Sequence, residues 1–452
     1  MNNYSSRNVA IIGAGPAGIF AAKELISKGH NVTLFNRDIK PGGLAEYGIY
    51  PTKHKMKDGL RKQFYAIIAN EKVSYFGNVT IGESADLTID EVRSLGFDAT
   101  LVTIGAQGTN WLGIPGEDLI GSYHAKNIVY HYNQLPPFST GKYHIGKKVA
   151  IIGVGNVMMD IAHYLITDKK VDVVTAIARR GPAEVKFTKK ELEYIVKNLD
   201  MDDYLVEIEH ATPLMNDLGQ DPLESVKFIR AAYPNGEDTG SPTIFRIKFL
   251  ASPVRLIGDE NNHVIGMELE GNTLINSNGN IKARGTGNIT FLDVDTVIFA
   301  VGDAIDQSFG LHYHKNEYIT NPQPRFPIHG ISYESYNPIS QEVVPDVFLG
   351  GWARKSSDGL VGNARKDGEN AAQAMDMYFQ TLNNLSAYDQ KTVENKILNK
   401  IKKMITKEDL NSLLLEEARI AVENGIPSYK FTSNEEMLEI IEHNRALVKQ
   451  PK

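Results

Sequence analysis

The chain of 452 residues predicts an α/β fold containing two parallel-sheet units. Three observations predict it. The run Val9-Ala10-Ile11-Ile12-Gly13 recurs as Val149-Ala150-Ile151-Ile152-Gly153. Each copy is a short β-branched strand pattern that passes through a Gly-x-Gly turn into a helical pattern. From about 203 to 296 the period changes to alternating or short apolar runs separated by Gly/Asn/Asp turns, which adds antiparallel strands to the second unit.

Taken in order, residues 8–12 read as a strand, 16–28 as a helix ended by Gly29-His30, and 31–35 as the next strand, together a βαβ unit. Pro41-Gly42-Gly43-Leu44 is a turn suited to close backbone approach. Residues 97–105 form a buried strand ending in Gly105, and 147–178 repeat the βαβ pattern. Tyr204–Ile208, Ile244–Leu250 and Val264–Leu269 are the expected antiparallel strands. Buried strands follow at 296–302 and 347–351. Beyond about 387 the chain is polar with helical spacing at Ile397, Ile401 and Ile405, then from Leu410 to Ala421.

Composition narrows the function classes. Apolar residues make up 42% and charged residues 23%, the balance of a soluble protein with a substantial core. No apolar run approaches the ~18 residues of a membrane span. The residues before Asn8 carry no leader-like run, so a cytoplasmic protein is expected. A net charge of −7 argues against a nucleic-acid binder. The absence of cysteine excludes disulfides, Cys-ligated zinc or iron–sulfur sites and any thiol-pair electron relay, and no metal site is expected.

The chemistry lies in the two turns. Gly13-x-Gly15-x-x-Gly18 and Gly153-x-Gly155 have the strand–turn–helix setting in which glycines admit a pyrophosphate to a helix N-terminus. Two such turns imply two dinucleotides, and hence electron transfer between them. An acid usually follows the second strand to bind a ribose; Asn36 stands there in the first copy and can still hydrogen-bond a hydroxyl. The second copy ends in Arg179-Arg180, which favours a 2′-phosphate and so NADP(H). Met158 replaces its third glycine, implying looser helix–sheet packing or a shifted helix. Residues 142–190 carry ten Lys/Arg against four Asp/Glu, and 53–72 carry six against two. Both stretches suit an acidic protein partner or a plain solvated face.

With these motifs in view, the chain resembles the adrenodoxin reductase-type ferredoxin–NADP reductases, within the two-dinucleotide-binding-domain flavoproteins. The stretches that carry the resemblance are 9–18, Pro41 to Ile49, Ile114 to Asp118, Gly121 to Lys126, Gly153 to Asp160, Ala178 to Pro182, Phe187 to Leu192, and Gly351-Trp352 with Gly359 to Gly362. The tail from Gly425 to Leu438 is also similar. The resemblance implies a glutathione reductase-like architecture: a discontinuous FAD-binding domain over 1–108 and 301–452, the latter with a C-terminal helical extension, and an inserted NADP(H)-binding domain over 109–300. It implies FAD contacts from Gly13, Gly15, Ala17, Asn36, Gly43, Leu44, Val79, Gly105, Trp352, Gly359, Leu360 and Val361. For NADP(H) it implies Gly153, Gly155, Asn156, Val157, Arg179, Arg180, Glu191 and Gly359. Glu191 would orient the nicotinamide end. The family's histidine two residues after the proline equivalent to Pro51 falls on Lys53, which leaves His54 a weak catalytic candidate. Ser356-Ser357-Asp358 also departs from the family pattern.

The implied activity is transfer of hydride from NADPH to FAD, then of single electrons to a ferredoxin or flavodoxin. Two other readings stay open: an NADPH-oxidising flavoprotein with a quinone or other small-molecule acceptor, and a non-turnover redox subunit docked on a larger enzyme.

Overall fold

The apolar run near the start of the chain works as a central strand. In Asn8–Ile12, Val9 and Ile11 face one side of a sheet while Ala10 and Ile12 face the other, and all four are buried. A strand covered on both faces needs this unbroken apolar run. The computed structural model describes residues 6–356, 359–383 and 388–449; Ser357 and Asp358 lie outside them.

The chain divides into two units. The first comprises Met1–Thr109, Tyr130–Thr140 and Asp303–Lys452; the second comprises Asn110–Val129 and Gly141–Gly302. The expected span of 109–300 for the second domain differs from this at Tyr130–Thr140. Tyr130 and Leu135 of that piece are buried against Tyr47, and Lys57 Nζ donates to Asn133 Oδ1 at 2.6 Å, which ties the segment to the first unit.

The first unit's sheet has the order Glu334–Asn337, Glu342–Leu349, Ala99–Val102, Asn8–Ile12, Asn31–Phe35, Val73–Phe76. Its last five strands are parallel and Glu334–Asn337 is antiparallel. Helices Pro16–Ser27, His54–Ile68 and Val361–Phe379 cover one face through Phe20, Leu25, Phe64, Met375 and Phe379. The other face packs Phe35, Phe76 and Leu349 with Val393, Ile397 and Ile401, the latter three from the extension. That extension forms helices Gln390–Lys400, Lys407–Glu423 and Asn434–Lys449.

The second unit's sheet is wholly parallel, in the order Ser122–His124, Thr296–Phe299, Lys148–Ile152, Val173–Ile177, Ile244–Lys248. Ala251–Gly258, Val264–Ser277 and Asn280–Leu292 form a separate antiparallel sheet. Two expected antiparallel strands are corrected. Tyr204–Ile208 lies inside the helix Met201–Asp217: Asp200 caps it by accepting from Asp203 N–H at 3.1 Å, and Tyr204, Ile208, Ala211 and Met215 fall on one buried stripe. Ile244–Lys248 is a strand, but it closes the edge of the parallel sheet beside Val173–Ile177. Of the three, Val264–Leu269 alone lies in the antiparallel sheet. No helix among the described residues is long and apolar enough to cross a membrane.

Candidate dinucleotide sites

The first glycine turn is shaped by what it touches. Gly13 has φ +108°, and a Cβ there would lie 2.5 Å from the Thr103 carbonyl oxygen. A Cβ on Gly18 would lie 2.0 Å from the Gly13 carbonyl oxygen, which already accepts from Thr103 Oγ1 at 2.8 Å. Gly15 differs: no atom stands within 4 Å of where its Cβ would be. It serves as N-cap of Pro16–Ser27, with Pro16 in the first turn, no side-chain cap and no acid there. The unshared N–H groups and the positive end of the helix dipole therefore open onto clear space, an arrangement that binds a phosphate.

Neighbouring segments complete this site. Gly42 N–H donates to the Ala14 carbonyl at 2.8 Å, and a Cβ on Gly43 would lie 3.1 Å from Gly15 Cα, so the turn before Leu44 abuts the glycine turn. A Cβ on Gly351 would lie 2.7 Å from that of Ala17, which brings the half-buried Trp352 turn to the same helix end. Asp367 holds that turn by accepting from Gly351 N–H at 2.7 Å and from Arg354. Gly368 lets helix Val361–Phe379 press on Ala17. Gly105 has φ +72° just past the neighbouring strand. Gly359, with φ +72°, and the exposed Leu360 lead into Val361–Phe379, another helix without a side-chain cap.

Three expected residues take more limited places. Asn36 is buried; its Nδ2 donates to the carbonyls of Asp38 and Lys40 and to Tyr75 Oη, while Oδ1 accepts from Ala14 N–H at 3.2 Å. Both amide hydrogens are committed, which leaves one Oδ1 lone pair for a ribose hydroxyl. Val79 has its side chain in the core and its N–H on the Asn36 carbonyl. His54 is exposed at the start of His54–Ile68, with Nδ1 3.0 Å from the Thr52 carbonyl oxygen.

Beneath the Leu44 turn lies a buried charge cluster that the motifs do not announce. Glu46 accepts from Arg61 at 2.8 and 3.0 Å and pairs with Lys430. Burial opposes its ionisation, but Lys430 and Arg61 outweigh that and hold the carboxyl at about 2.

The second glycine turn repeats the first at two of three positions. Gly153 has φ +123° and its Cβ would lie 2.4 Å from the Ala300 carbonyl oxygen; Gly155 has nothing within 4 Å. Helix Asn156–Tyr164 again starts without a side-chain cap or first-turn acid. Met158 is fully buried, so the packing is not loose. Room for its side chain where Gly18 has no room for a Cβ means that the helix stands farther from its turn. Lys186 N–H donates to the Val154 carbonyl at 3.0 Å and Thr188 N–H to Asn156 Oδ1 at 2.9 Å. Thr188 caps Lys189–Glu193 through Glu191 N–H, so these two bonds dock the half-buried Glu191 beside the turn. Val157 is exposed on the first helical turn.

Arg179 and Arg180 follow strand Val173–Ile177. Their carbonyls accept from Asn272 Nδ2 and Leu250 N–H, which fixes the backbone. Among the described residues neither guanidinium has a hydrogen bond or ion pair. Glu184, close in sequence, is committed to Gly181 N–H and Gln220. Two uncompensated guanidiniums at this strand end form an anion receptor.

The chain is similar to known proteins over most of its length. Residues 7–203 match the family described as pyridine nucleotide-disulphide oxidoreductase. The chain is 29% identical over 407 residues to NADPH:adrenodoxin oxidoreductase, mitochondrial, of Arabidopsis thaliana, covering 80% of each chain. It is 25% identical to NADPH-ferredoxin reductase FprA of Mycobacterium leprae, covering 83% of this chain and 84% of that one. A solved structure of FprA, a Mycobacterium tuberculosis oxidoreductase, superposes with a TM-score of 0.78 at 25% identity, over 96% of this chain and 99% of that one. The two-domain α/β fold is thereby shown, and the chain is similar to the pyridine nucleotide-disulphide oxidoreductases over residues 7–203 and to the adrenodoxin and ferredoxin reductases over most of its length.

Proposed function

We propose that this protein is an oxidoreductase that binds FAD at the first glycine turn and NADPH at the second, and delivers electrons singly to a ferredoxin- or flavodoxin-like carrier. The observation that carries the reading is the pair of turns, each with an open second glycine at an uncapped helix N-terminus, together with two guanidiniums past Val173–Ile177 that have no hydrogen bond or ion pair among the described residues. The names of the relatives, NADPH-ferredoxin reductase and NADPH:adrenodoxin oxidoreductase, support the same pairing of nucleotide and carrier. With no cysteine in the chain, the disulphide chemistry in the family's name has no thiol here.

The residues fit both cofactors. Gly13, Gly15 and Ala17 would face the FAD pyrophosphate, Asn36 would border its ribose, and Gly43, Leu44, Val79, Gly105, Trp352 and Gly359 to Val361 would line the rest. Gly153, Gly155, Asn156 and Val157 would hold the NADP(H) pyrophosphate. Arg179 and Arg180 would select the 2′-phosphate, each charge-assisted bond contributing about 1.5–3 kcal/mol. Glu191, fixed through Thr188, would orient the nicotinamide end. When bound, the two dinucleotides supply the hydride and electron chemistry, and the chain supplies position and charge. The basic stretches at 53–72 and 142–190 would meet an acidic carrier.

The test is a purified protein mixed with NADPH and an acceptor. The expected protein is yellow, reduces ferricyanide unaided, and passes electrons to ferredoxin or flavodoxin from its own source. A colourless protein, or one inert to NADPH with every artificial acceptor, contradicts the reading. Turnover with a quinone but with neither carrier replaces the carrier by a small molecule.

A further inference from the structure

The C-terminal extension reaches the first glycine turn's supporting loop with more than apolar contact. The segment Asp38–Ile49, hereafter the loop, carries the short helix Gly43–Tyr47 and meets the extension at four points. Ile39 is buried in the extension's own cluster with Leu413, Phe431, Met437 and Ile441. Lys40 Nζ donates to Glu417 Oε1 at 2.6 Å, and both side chains are buried. Glu417 Oε1 also accepts from Phe431 N–H at 3.0 Å, which folds the 425–431 segment back onto the same carboxylate. Lys430 pairs with Glu46 and lies 5.2 Å from the Tyr47 ring centroid. At its other side this loop abuts the turn, through Gly42 N–H to Ala14 and Gly43 against Gly15.

Buried ion pairs are poor sources of net stability, because desolvation offsets their attraction. Breaking one is costly, since it leaves a buried charge alone. Such pairs therefore specify one arrangement of the groups that carry them. Here Lys40 and Glu46 lie on the loop, while Glu417 and Lys430, which pair with them, lie on the extension; Glu46 is also held by Arg61 of His54–Ile68.

We propose that Glu417 and Lys430 are positioning residues: they clamp the loop Asp38–Ile49 against the first glycine turn and so set how tightly FAD is held there. The proposal rests on the FAD reading above. The extension neither lines the turn nor touches the cofactor in this account; it acts through the loop by preorganising it.

The test compares the full-length parent with Lys430→Met, Glu417→Gln and the conservative Lys430→Arg. Hydrogen exchange on the apoproteins reads the clamp without cofactor: in Lys430→Met, residues 40–48 are expected to exchange about tenfold faster while Asn8–Ile12 stays protected. Fluorescence titration is expected to show FAD bound at least about tenfold more weakly by Lys430→Met and Glu417→Gln, with Lys430→Arg recovering most of the loss. With FAD in excess, the KM for NADPH is expected to stay within about twofold of the parent. Should Lys430→Met fail to fold, the milder Glu417→Gln decides by the same readings. Unchanged exchange over 40–48 and parental FAD affinity in a folded variant overturn the clamp. A parent that binds no FAD overturns the cofactor reading instead, whatever the exchange shows.

Discussion

The two glycine turns start alike and then part. In both, the first glycine is left-handed and wedged against a carbonyl of the neighbouring strand, that of Thr103 or of Ala300, and the second glycine faces open space. They differ at the third position, where Gly18 has no room for a methyl group and Met158 buries a whole side chain. They differ again past the second strand. There Arg37 is spent on Asp38 and Gln107, with Asn36 committed inward, whereas Arg179 and Arg180 have no partner among the described residues. Their supports also differ: an ion-paired loop closes on the first turn, and two hydrogen bonds from Lys186 and Thr188 dress the second. The shared half is what a pyrophosphate requires. On the reading proposed above, the divergent half is where one duplicated motif would acquire two nucleotide preferences.

The sharpest way to break this comparison is to place alanine at both third positions. Gly18→Ala places a methyl group 2.0 Å from the Gly13 carbonyl oxygen; it is expected to abolish flavin binding and to lower stability by about 3 kcal/mol or more. Met158→Ala instead leaves a cavity, at a cost of about 2–5 kcal/mol, with flavin content unchanged. Absorbance of the purified proteins and urea unfolding measure both. A flavin-replete Gly18→Ala protein contradicts the tight-turn account.

The buried carboxylate under the first turn gives a pH signature of similar size. Glu46 sits at about 2 in the fold against about 4.5 unfolded, so its contribution is complete above about pH 4.5 and disappears as the pH falls toward 2. It amounts to order 3 kcal/mol. Glu46→Gln is expected to flatten that limb of the stability–pH curve, as urea midpoints between pH 2 and 5 would show. A limb unchanged from the parent assigns the acid sensitivity to other carboxylates.

Substitution at the second glycines isolates the cofactors from the fold. Gly15 and Gly155 are both in extended backbone that any residue adopts, with nothing near a Cβ. Gly15→Val is expected to weaken FAD, and Gly155→Val to raise the KM for NADPH, each by about tenfold or more, with apoprotein melting nearly unchanged. Loss of both ligands from either variant would erase the division between the turns. The smallest effect is expected from His54→Ala. This exposed side chain bonds only locally, and kcat with ferricyanide should stay within about twofold; a drop of about a hundredfold would make it catalytic.

The local half of the fold was legible in the sequence, and long-range pairing was not. Val9–Ile12 and Val149–Ile152 announce buried parallel strands because such strands need apolar residues on both faces. Tyr204–Ile208 reads as a strand on five residues, but the helical stripe emerges only when Ala211 and Met215 are counted and Asp200 is taken as the cap. Ile244–Lys248 is visibly a strand, yet no local signal names Val173–Ile177 as its neighbour. The glycine turns were legible because close backbone approach demands glycine, as at Gly13, Gly18 and Gly153. Lys430 and Glu417 were not, because each is an ordinary surface residue until the chain brings it to a loop some 380 residues away.

The central claim is that the divergent half of the second turn reads a 2′-phosphate. Calorimetric titration of the yellow Arg179→Ala/Arg180→Ala protein tests it most directly. The account predicts parental flavin content, NADPH affinity weakened by about fiftyfold or more, and NADH affinity changed by less than about threefold. Equal losses for NADPH and NADH would contradict it.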